Sequence, residues 1–287
     1  MDIYFATSMR KRWEFEDLHD FVSALVSSDE LRSLKVRYFD PTQSFDKNRI
    51  NKGLIEALML KRARCTVYSV QDTDTLGKDS ELAATLAQGK PVVAYSPKID
   101  VESRTAQLSS ERPAVLLERL QFVVYADDGF ARSVASEDWA RIQGFAEKLE
   151  EFEGRMPWRS MIDTQSVHEF GAANADDLRM FGRAIAESEK RIYDRRARTL
   201  LASHPLAIQV NLDTGVANGV LVARDIGTCA RLVRRILTNT MEYRVRYDEP
   251  SECWFLEEEL TGSVFRVVTS NVKLTNCFWN FYGSRDV

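Results

Sequence analysis

The sequence predicts an α/β fold: a five-stranded, doubly wound parallel sheet, followed by a helical segment and an α+β C-terminal domain. Three observations predict it. Short apolar, β-branched runs recur at residues 2–6, Thr66–Val70 and Val92–Tyr95. Stretches with apolar residues at helical spacing lie between them. Turn residues such as Asp40-Pro41 and Gly89-Lys90-Pro91 punctuate the transitions. Strands alternating with helices are the pattern of parallel crossovers.

In chain order, residues 2–6 (DIYFA) form the first strand, and the loop Thr7-Ser8-Met9-Arg10 follows. Phe15, Leu18, Val22 and Leu25 mark one face of a helix. Leu34–Phe39 is the second strand, ended at Asp40 because Pro41 disfavours the helical region for the residue before it. Asp46 is placed to cap the next helix, which is expected to bury Ile50, Leu54, Ala57 and Leu58. Thr66–Val70 is the third strand. A short helix over Leu82, Ala83 and Leu86 comes next, with Asp79 or Ser80 as its cap and Gly89 at the left-handed position after its end. Val92–Tyr95 is the fourth strand. Ile99–Glu111 is expected to be a polar loop or lid, Pro113–Leu120 a helix, and Gln121–Tyr125 the fifth strand. This sequence of elements suggests a flavodoxin-like strand order.

Beyond residue 130 the pattern changes. Trp139, Ile142, Ala146, Leu149 and Phe152 give a long amphipathic helix, and Glu153–Pro157 a linker. A second long helix spans Asp176–Leu201, with Leu178, Phe181, Ile185 and Ile192 on one face. Strands are expected at Leu206–Val210, Val220–Ala223, Met241–Arg246, Ser263–Thr269 and Asn276–Phe281, with a helix at Ile226–Leu237. The expected organisation is an α/β domain over residues 1–128, a helical connector over 129–203, and an α+β domain over 204–287.

Composition narrows the function classes. The 287 residues are 44% hydrophobic and 29% charged, as in a globular chain with a substantial core. A formal net charge of -4 gives no direct nucleic-acid signal. No apolar run approaches the ~20 residues that span a bilayer. The N-terminus is apolar first and basic second, the reverse of a secretory signal. A cytoplasmic protein is expected, without a membrane partner. Cys65, Cys229, Cys253 and Cys277 lack metal-ligand spacing, and His19, His168 and His204 are scattered. Free buried thiols are expected, with no metal and no cofactor. Gly-rich dinucleotide, Walker and nucleophile-elbow motifs are absent.

The carboxylates after the third strand are the leading candidates for chemistry. Asp72, Asp74, Asp79 and Glu81 sit on a loop and helix start at the carboxyl edge of the sheet, where open α/β proteins bind ligands. Repelling carboxylates held close have raised pKa values suited to acid–base work, and a carboxylate can attack or stabilise an oxocarbenium-like sugar carbon. The structural alternative makes Asp72 and Asp74 turn residues, Asp79 a cap, and Glu81 a favourable charge in a first helical turn. Thr7, Ser8, Met9 and Arg10 lie at the same edge and can hold a ribose or phosphate. Asp40, Asp79 and Ser96 are binding candidates by location. Trp13 either stacks a base or belongs to the core. The basic runs Lys61–Arg64 and Arg195–Arg198 are read as solvated faces, with phosphate contact as the second reading.

Gly77-Lys78-Asp79-Ser80-Glu81-Leu82-Ala83, followed by Ala87-Gln88-Gly89-Lys90-Pro91-Val92, resembles the nucleoside 2-deoxyribosyltransferase pattern. There a Gly-Thr-x-x-Glu helix start precedes Ala-x-Gly-Lys-Pro-Val; Lys78 stands here in place of the threonine. The resemblance covers roughly residues 1–125 and extends to Toll/interleukin-receptor (TIR) domains that hydrolyse NAD. It implies that Glu81 acts on the sugar, that Asp72 or Asp74 assists the leaving base, and that the substrate is a nucleoside, nucleotide or NAD. The added C-terminal region implies a signalling or antiviral defence effector that forms a homo-oligomer. The alternative is a non-catalytic nucleotide sensor on the same edge, with an oligomerising C-terminal domain.

Overall fold

The computed structural model describes residues 1–8, 11–41, 48–71, 76–126, 136–155, 164–202, 209–211, 216–217, 220–250 and 252–267. Two compact units emerge: Met1–Pro97 together with Arg195–Val287, and Lys98–Asp194. This differs from the expected division at 128 and 203, because the first unit is discontinuous in sequence.

The first unit holds a five-stranded, all-parallel sheet. Its strands are β1 (Ile3–Ala6), β2 (Tyr38–Phe39), β3 (Cys65–Ser69), β4 (Val92–Tyr95) and a fifth from far along the chain, Val220–Ala223. Their order is β2-β1-β3-β4 and then Val220–Ala223. In register, Tyr4 lies opposite Thr66 and Phe39, and Val92 opposite Val220. The fifth strand is therefore not Gln121–Tyr125, which continues the helix Pro113–Ala126. That helix buries Leu116, Leu120 and Val123 at helical spacing.

Strand alternation assigns the two faces of the sheet. Ile3, Phe5, Cys65, Val67, Val93, Leu221 and Ala223 enter one core with Leu18, Phe21, Val22 and Leu25 of helix Arg12–Ser27. Helix Ile226–Thr238 adds Cys229, Ala230, Leu232, Val233 and Ile236 to the same core. That helix is capped by Asp225, which accepts from the Thr228 backbone N–H at 2.7 Å. It ends at Asn239 in the left-handed region. A second sheet has five strands in the order Val216–Ala217, Gln209–Asn211, Val264–Val267, Cys253–Glu258, Tyr243–Asp248. Leu256 and Phe265 from this sheet join the same core. Cys253–Glu258 was not expected as a strand. The expected strand at Asn276–Phe281 and the Asp46 cap lie outside the described residues.

Helix Arg49–Arg62 is capped by Asn48, whose side chain accepts from the Ile50 and Asn51 N–H groups. It turns its apolar stripe the opposite way from expectation. Ile50, Leu54 and Leu58 are 81%, 60% and 50% exposed. The helix packs through its other side, where Leu60 is buried and Ile55 and Met59 are half-buried.

In the second unit, Ile99–Glu111 is not a loop. Val101–Ser109 is a helix capped by Asp100, which accepts from the Ser103 N–H at 2.9 Å. Helices Pro113–Ala126, Ser136–Arg155 and Ala175–Ala202 supply a core of Leu116, Leu120, Ile142, Phe145, Leu149, Leu178, Phe181 and Ile185. Gly182 lies in this core, and a Cβ there would meet the Thr105 carbonyl oxygen at 3.2 Å. Two bidentate ion pairs cross the unit. Arg104 donates to Glu189 at 2.7 and 3.0 Å, and Arg119 to Glu111 at 2.9 and 3.0 Å.

Among the described residues no helix is long and apolar enough to cross a membrane. Cys65 and Cys229 are free and fully buried, and burial pushes both thiols up, Cys65 to about 12. Because the thiolate is the reactive form, both are expected to resist iodoacetamide at pH 8 in the native protein and to react after denaturation. Peptide mapping that finds either alkylated within minutes under native conditions would contradict this burial.

Candidate functional site

Helix Leu76–Ala87 carries the site. It begins before the expected caps, so Asp79 and Ser80 lie within its first turns. Gly89 follows its end at a φ of 67°, the left-handed conformation glycine adopts without Cβ strain. Lys90 then reaches the C-terminal end of helix Arg49–Arg62, donating to the carbonyls of Leu60 at 3.2 Å and Lys61 at 2.6 Å. A cation on those C-terminal carbonyls opposes the negative end of the helix dipole. This fixes the two helices side by side over the sheet.

The sheet-facing side of helix Leu76–Ala87 alternates polar and apolar groups: Lys78, Leu82, Thr85 and Leu86 are buried. Each polar group on or beside that side meets a partner from the sheet. The Tyr4 hydroxyl donates to Glu81 Oε1 at 2.6 Å. The Tyr68 hydroxyl donates to Asp79 Oδ1 at 2.7 Å. Thr66 and Thr85 hydroxyls lie 2.8 Å apart, and Thr85 donates onward to the Glu81 carbonyl at 2.8 Å.

Glu81 is the perturbed member of this set. Desolvation raises its pKa to about 7 and the charge of Glu56 adds to that; the Tyr4 hydrogen bond and the charges of Lys78 and Lys52 pull the other way. Its Oε2 is buried and has no hydrogen-bond partner among the described residues. A buried carboxylate with one oxygen fixed and one unsatisfied is costly to the fold, which makes Glu81 the candidate position of this site. Tyr4 is itself held, its ring stacked on Phe39 with centroids 5.5 Å apart. Burial and the nearby Glu81 charge raise the Tyr4 pKa strongly, so it remains a donor across the physiological range.

Above Glu81, at the carboxyl edge, the β1 loop is clamped to the β3 loop. Gln71 Oε1 accepts from the Ser8 N–H at 2.7 Å, and Gln71 Nε2 donates to the Ser8 carbonyl at 2.8 Å. The Thr7 hydroxyl reaches Gln71 Oε1 at 3.4 Å. Lys78, 1% exposed, donates to the Ser69 carbonyl at 3.1 Å and to Gln71 Oε1 at 3.4 Å. Its ammonium also lies 4.9 Å from the Tyr68 ring centroid. The buried cation thus braces the clamp that positions Ser8, and its field favours the ionised form of Glu81.

Thr7 and Ser8 follow β1 and are held to Gln71 after β3, while Glu81 lies in the second turn of helix Leu76–Ala87 and meets Tyr4 within β1. Met9, Arg10, Asp72 and Asp74 lie outside the described residues. Asp79 is tied to Tyr68. Asp40 is buried at the end of β2, and buried Ser96 continues the ladder after β4 by donating its N–H to Ala223. Trp13 is buried. Sequence reasoning missed Tyr4, Gln71 and Tyr68, and read Lys78 only as a departure from a pattern. A single tyrosine within each of the buried strands β1 and β3 was the available signal, since a buried phenol needs a partner. Comparisons with protein-family models, with curated proteins and with solved structures found no match for this chain.

Proposed function

We propose that the chain acts on the N-glycosidic bond of a nucleoside, a nucleotide or NAD, with Glu81 as the group that meets the anomeric carbon. The observation that carries this reading is the Glu81–Tyr4 pair: a carboxylate poised near neutral pH, oriented through one oxygen and, among the described residues, unpaired at the other. In the ionised form Oε2 attacks the anomeric carbon while the carbon–nitrogen bond breaks. The electron pair leaves with the base, which takes up a proton. Water or the nitrogen of a second base then displaces the glutamate, giving hydrolysis or transfer. The resemblance assigns proton donation to Asp72 or Asp74. The 2-1-3-4-5 strand order supports a flavodoxin-like reading of the sheet, and exposed Ile50, Leu54 and Leu58 support self-association.

The test is base release, followed by chromatography, from NAD and from a panel of nucleosides and nucleotides. Release that survives Glu81→Gln removes the assignment. A second measurement probes the pair itself. The rate is expected to rise with pH through about 7 as Glu81 ionises. Tyr4→Phe removes a donor to the ionised form, so the limb is expected to move up by roughly one unit. A limb that stays in place or moves down contradicts the role given to Tyr4.

A further inference from the structure

Strand β2 is two residues long and lies at the edge of the sheet. Both of its side chains are aromatic, and they meet β1 on opposite faces. In register, Tyr38 lies opposite Ile3 and Phe39 opposite Tyr4. The Tyr38 ring meets Phe5 edge-on with centroids 5.7 Å apart, on the face where Phe5 packs against Phe21 of helix Arg12–Ser27. The Phe39 ring stacks on Tyr4, with centroids 5.5 Å apart and planes 23° apart. That second face carries Glu81, to which the Tyr4 hydroxyl donates at 2.6 Å. Cross-strand aromatic pairs stabilise a sheet wherever they occur. Here one of the two pairs is continuous with the candidate reacting group and the other is not.

A tyrosine hydroxyl stands at the far end of its ring, so a small turn about either side-chain bond moves the oxygen most. The bond to ionised Glu81 is charge-assisted, and such bonds weaken steeply when misaligned. Stacking against Phe39 opposes that turn, because offset aromatic pairs prefer a narrow range of ring geometry. Tyr4 is fully buried and Phe39 is half-buried on the edge strand.

We infer that Phe39 is a positioning residue for the proposed reaction: its ring holds the Tyr4 phenol in the orientation that donates to Glu81. The inference rests on the reading of Glu81 as the reacting group. Phe39 acts through Tyr4 and makes no contact with a reacting atom. The other groups that face Glu81 are Lys78 on its own helix and Glu56 and Lys52 on helix Arg49–Arg62. Phe39 carries no charge, so replacing it leaves those fields in place and alters only the Tyr4 contact.

The experiment follows the Glu81 carboxyl by carbon NMR through a pH titration of the full chain without substrate. The signal is assigned by its loss in Glu81→Gln. Phe39→Leu keeps an apolar side chain and removes the ring. It is expected to move the Glu81 titration up by roughly half a pH unit, in the direction of Tyr4→Phe but by a smaller step. Phe39→Met is the second ring-free variant and carries the same expectation. Phe39→Tyr keeps the ring and is expected to titrate as the wild type does. Tyr38→Leu removes an aromatic contact of the same strand from the other face and is expected to leave the titration in place. The double variant Tyr4→Phe/Phe39→Leu is expected to titrate like Tyr4→Phe alone, because the hydroxyl through which Phe39 acts is gone. With a compound that is cleaved, Phe39→Leu is expected to lower kcat about three- to tenfold and to leave KM within about twofold. A titration unmoved in the ring-free variants, an equal shift in Tyr38→Leu or Phe39→Tyr, or a further shift in the double variant overturns the inference. The titration needs no turnover, so the two readings fail separately. A titration that moves as expected in a chain that releases no base keeps the Phe39–Tyr4–Glu81 link and removes the proposed function. Base release abolished by Glu81→Gln, with the titration unmoved in the ring-free variants, does the reverse.

Discussion

Glu81→Gln is expected to lower base release by roughly a thousandfold or more while making the folded protein more stable above neutral pH. The activity loss follows from chemistry: an amide neither ionises nor attacks, and removing a positioned acid–base or nucleophilic group costs at least two to four orders of magnitude. The stability gain follows from linkage. The Glu81 pKa is raised on folding from 4.5 to about 7, chiefly by desolvation. A raised acid pKa means that the folded state holds the proton more tightly than the unfolded chain. Its favourable contribution is thus complete below pH 4.5 and is lost as pH rises to about 7. With ~1.4 kcal/mol per unit, and allowing for partial solvent screening at a half-buried group, the wild type loses about 1–3 kcal/mol over that window. Glutamine keeps an oxygen for the Tyr4 hydroxyl and has no charge to desolvate. Urea unfolding at several pH values should therefore show the gap between variant and wild type opening from pH 4.5 to 7 and level above. A gap that closes with rising pH contradicts the geometry. Stability surrendered at a reactive position is the usual mark of a working site.

Glu189→Ala is expected to destabilise the helical unit Lys98–Asp194 by about 3–5 kcal/mol. The Glu189 side chain is 2% exposed and receives both nitrogens of Arg104, with Arg119 Nη1 at 3.8 Å. Arg119 is 3% exposed and forms its own fork with Glu111. Removing the central carboxylate takes away the fork on Arg104 and the nearby charge at Arg119, at side chains only 15% and 3% exposed. The Coulombic gain disappears while the desolvation cost stays. Glu189→Gln keeps the shape and loses the charge, so it should recover only a minor part. Hydrogen exchange should show the loss of protection concentrated in residues 98–194. A change below about 1 kcal/mol would assign the network the small value of a solvent-exposed pair.

How much of this was legible in the sequence depends on how local the deciding interaction is. β1, β3 and β4 were legible because apolar runs of four or five residues bounded by turn signals have few other uses. The helix carrying Glu81 and its Gly89 stop were legible for the same reason. Gln121–Tyr125 was not: a short apolar run has the same pattern in a buried helix as in a buried strand. Continuity with Leu116 and Leu120 and packing against Ile142 and Phe145 decide for helix. Val101–Ser109 was hidden by its polarity; Asp100 caps it and Arg104 secures it to Glu189, far along the chain. The Ile50–Leu54–Leu58 stripe had the right spacing for a buried face but stands outward, because spacing fixes which residues share a face and not which face the protein covers.

Local sequence encodes a carboxylate after the third strand of a parallel sheet, on a helix that Gly89 stops. It also determined that Thr7 and Ser8 would lie at the neighbouring strand end. What surrounds that carboxylate is set by contacts between distant segments. The Tyr4 hydroxyl and the charges of Glu56 and Lys52 come from other segments, and their effect on Glu81 depends on distances of a few ångströms and on the exclusion of water. The fifth strand, Val220–Ala223, shows the same division. Its residues specify a strand, but the free edge of β4 after the helical insertion specifies where it pairs. Period and turn chemistry are written in neighbouring residues; desolvation and strand pairing exist only once distant residues meet.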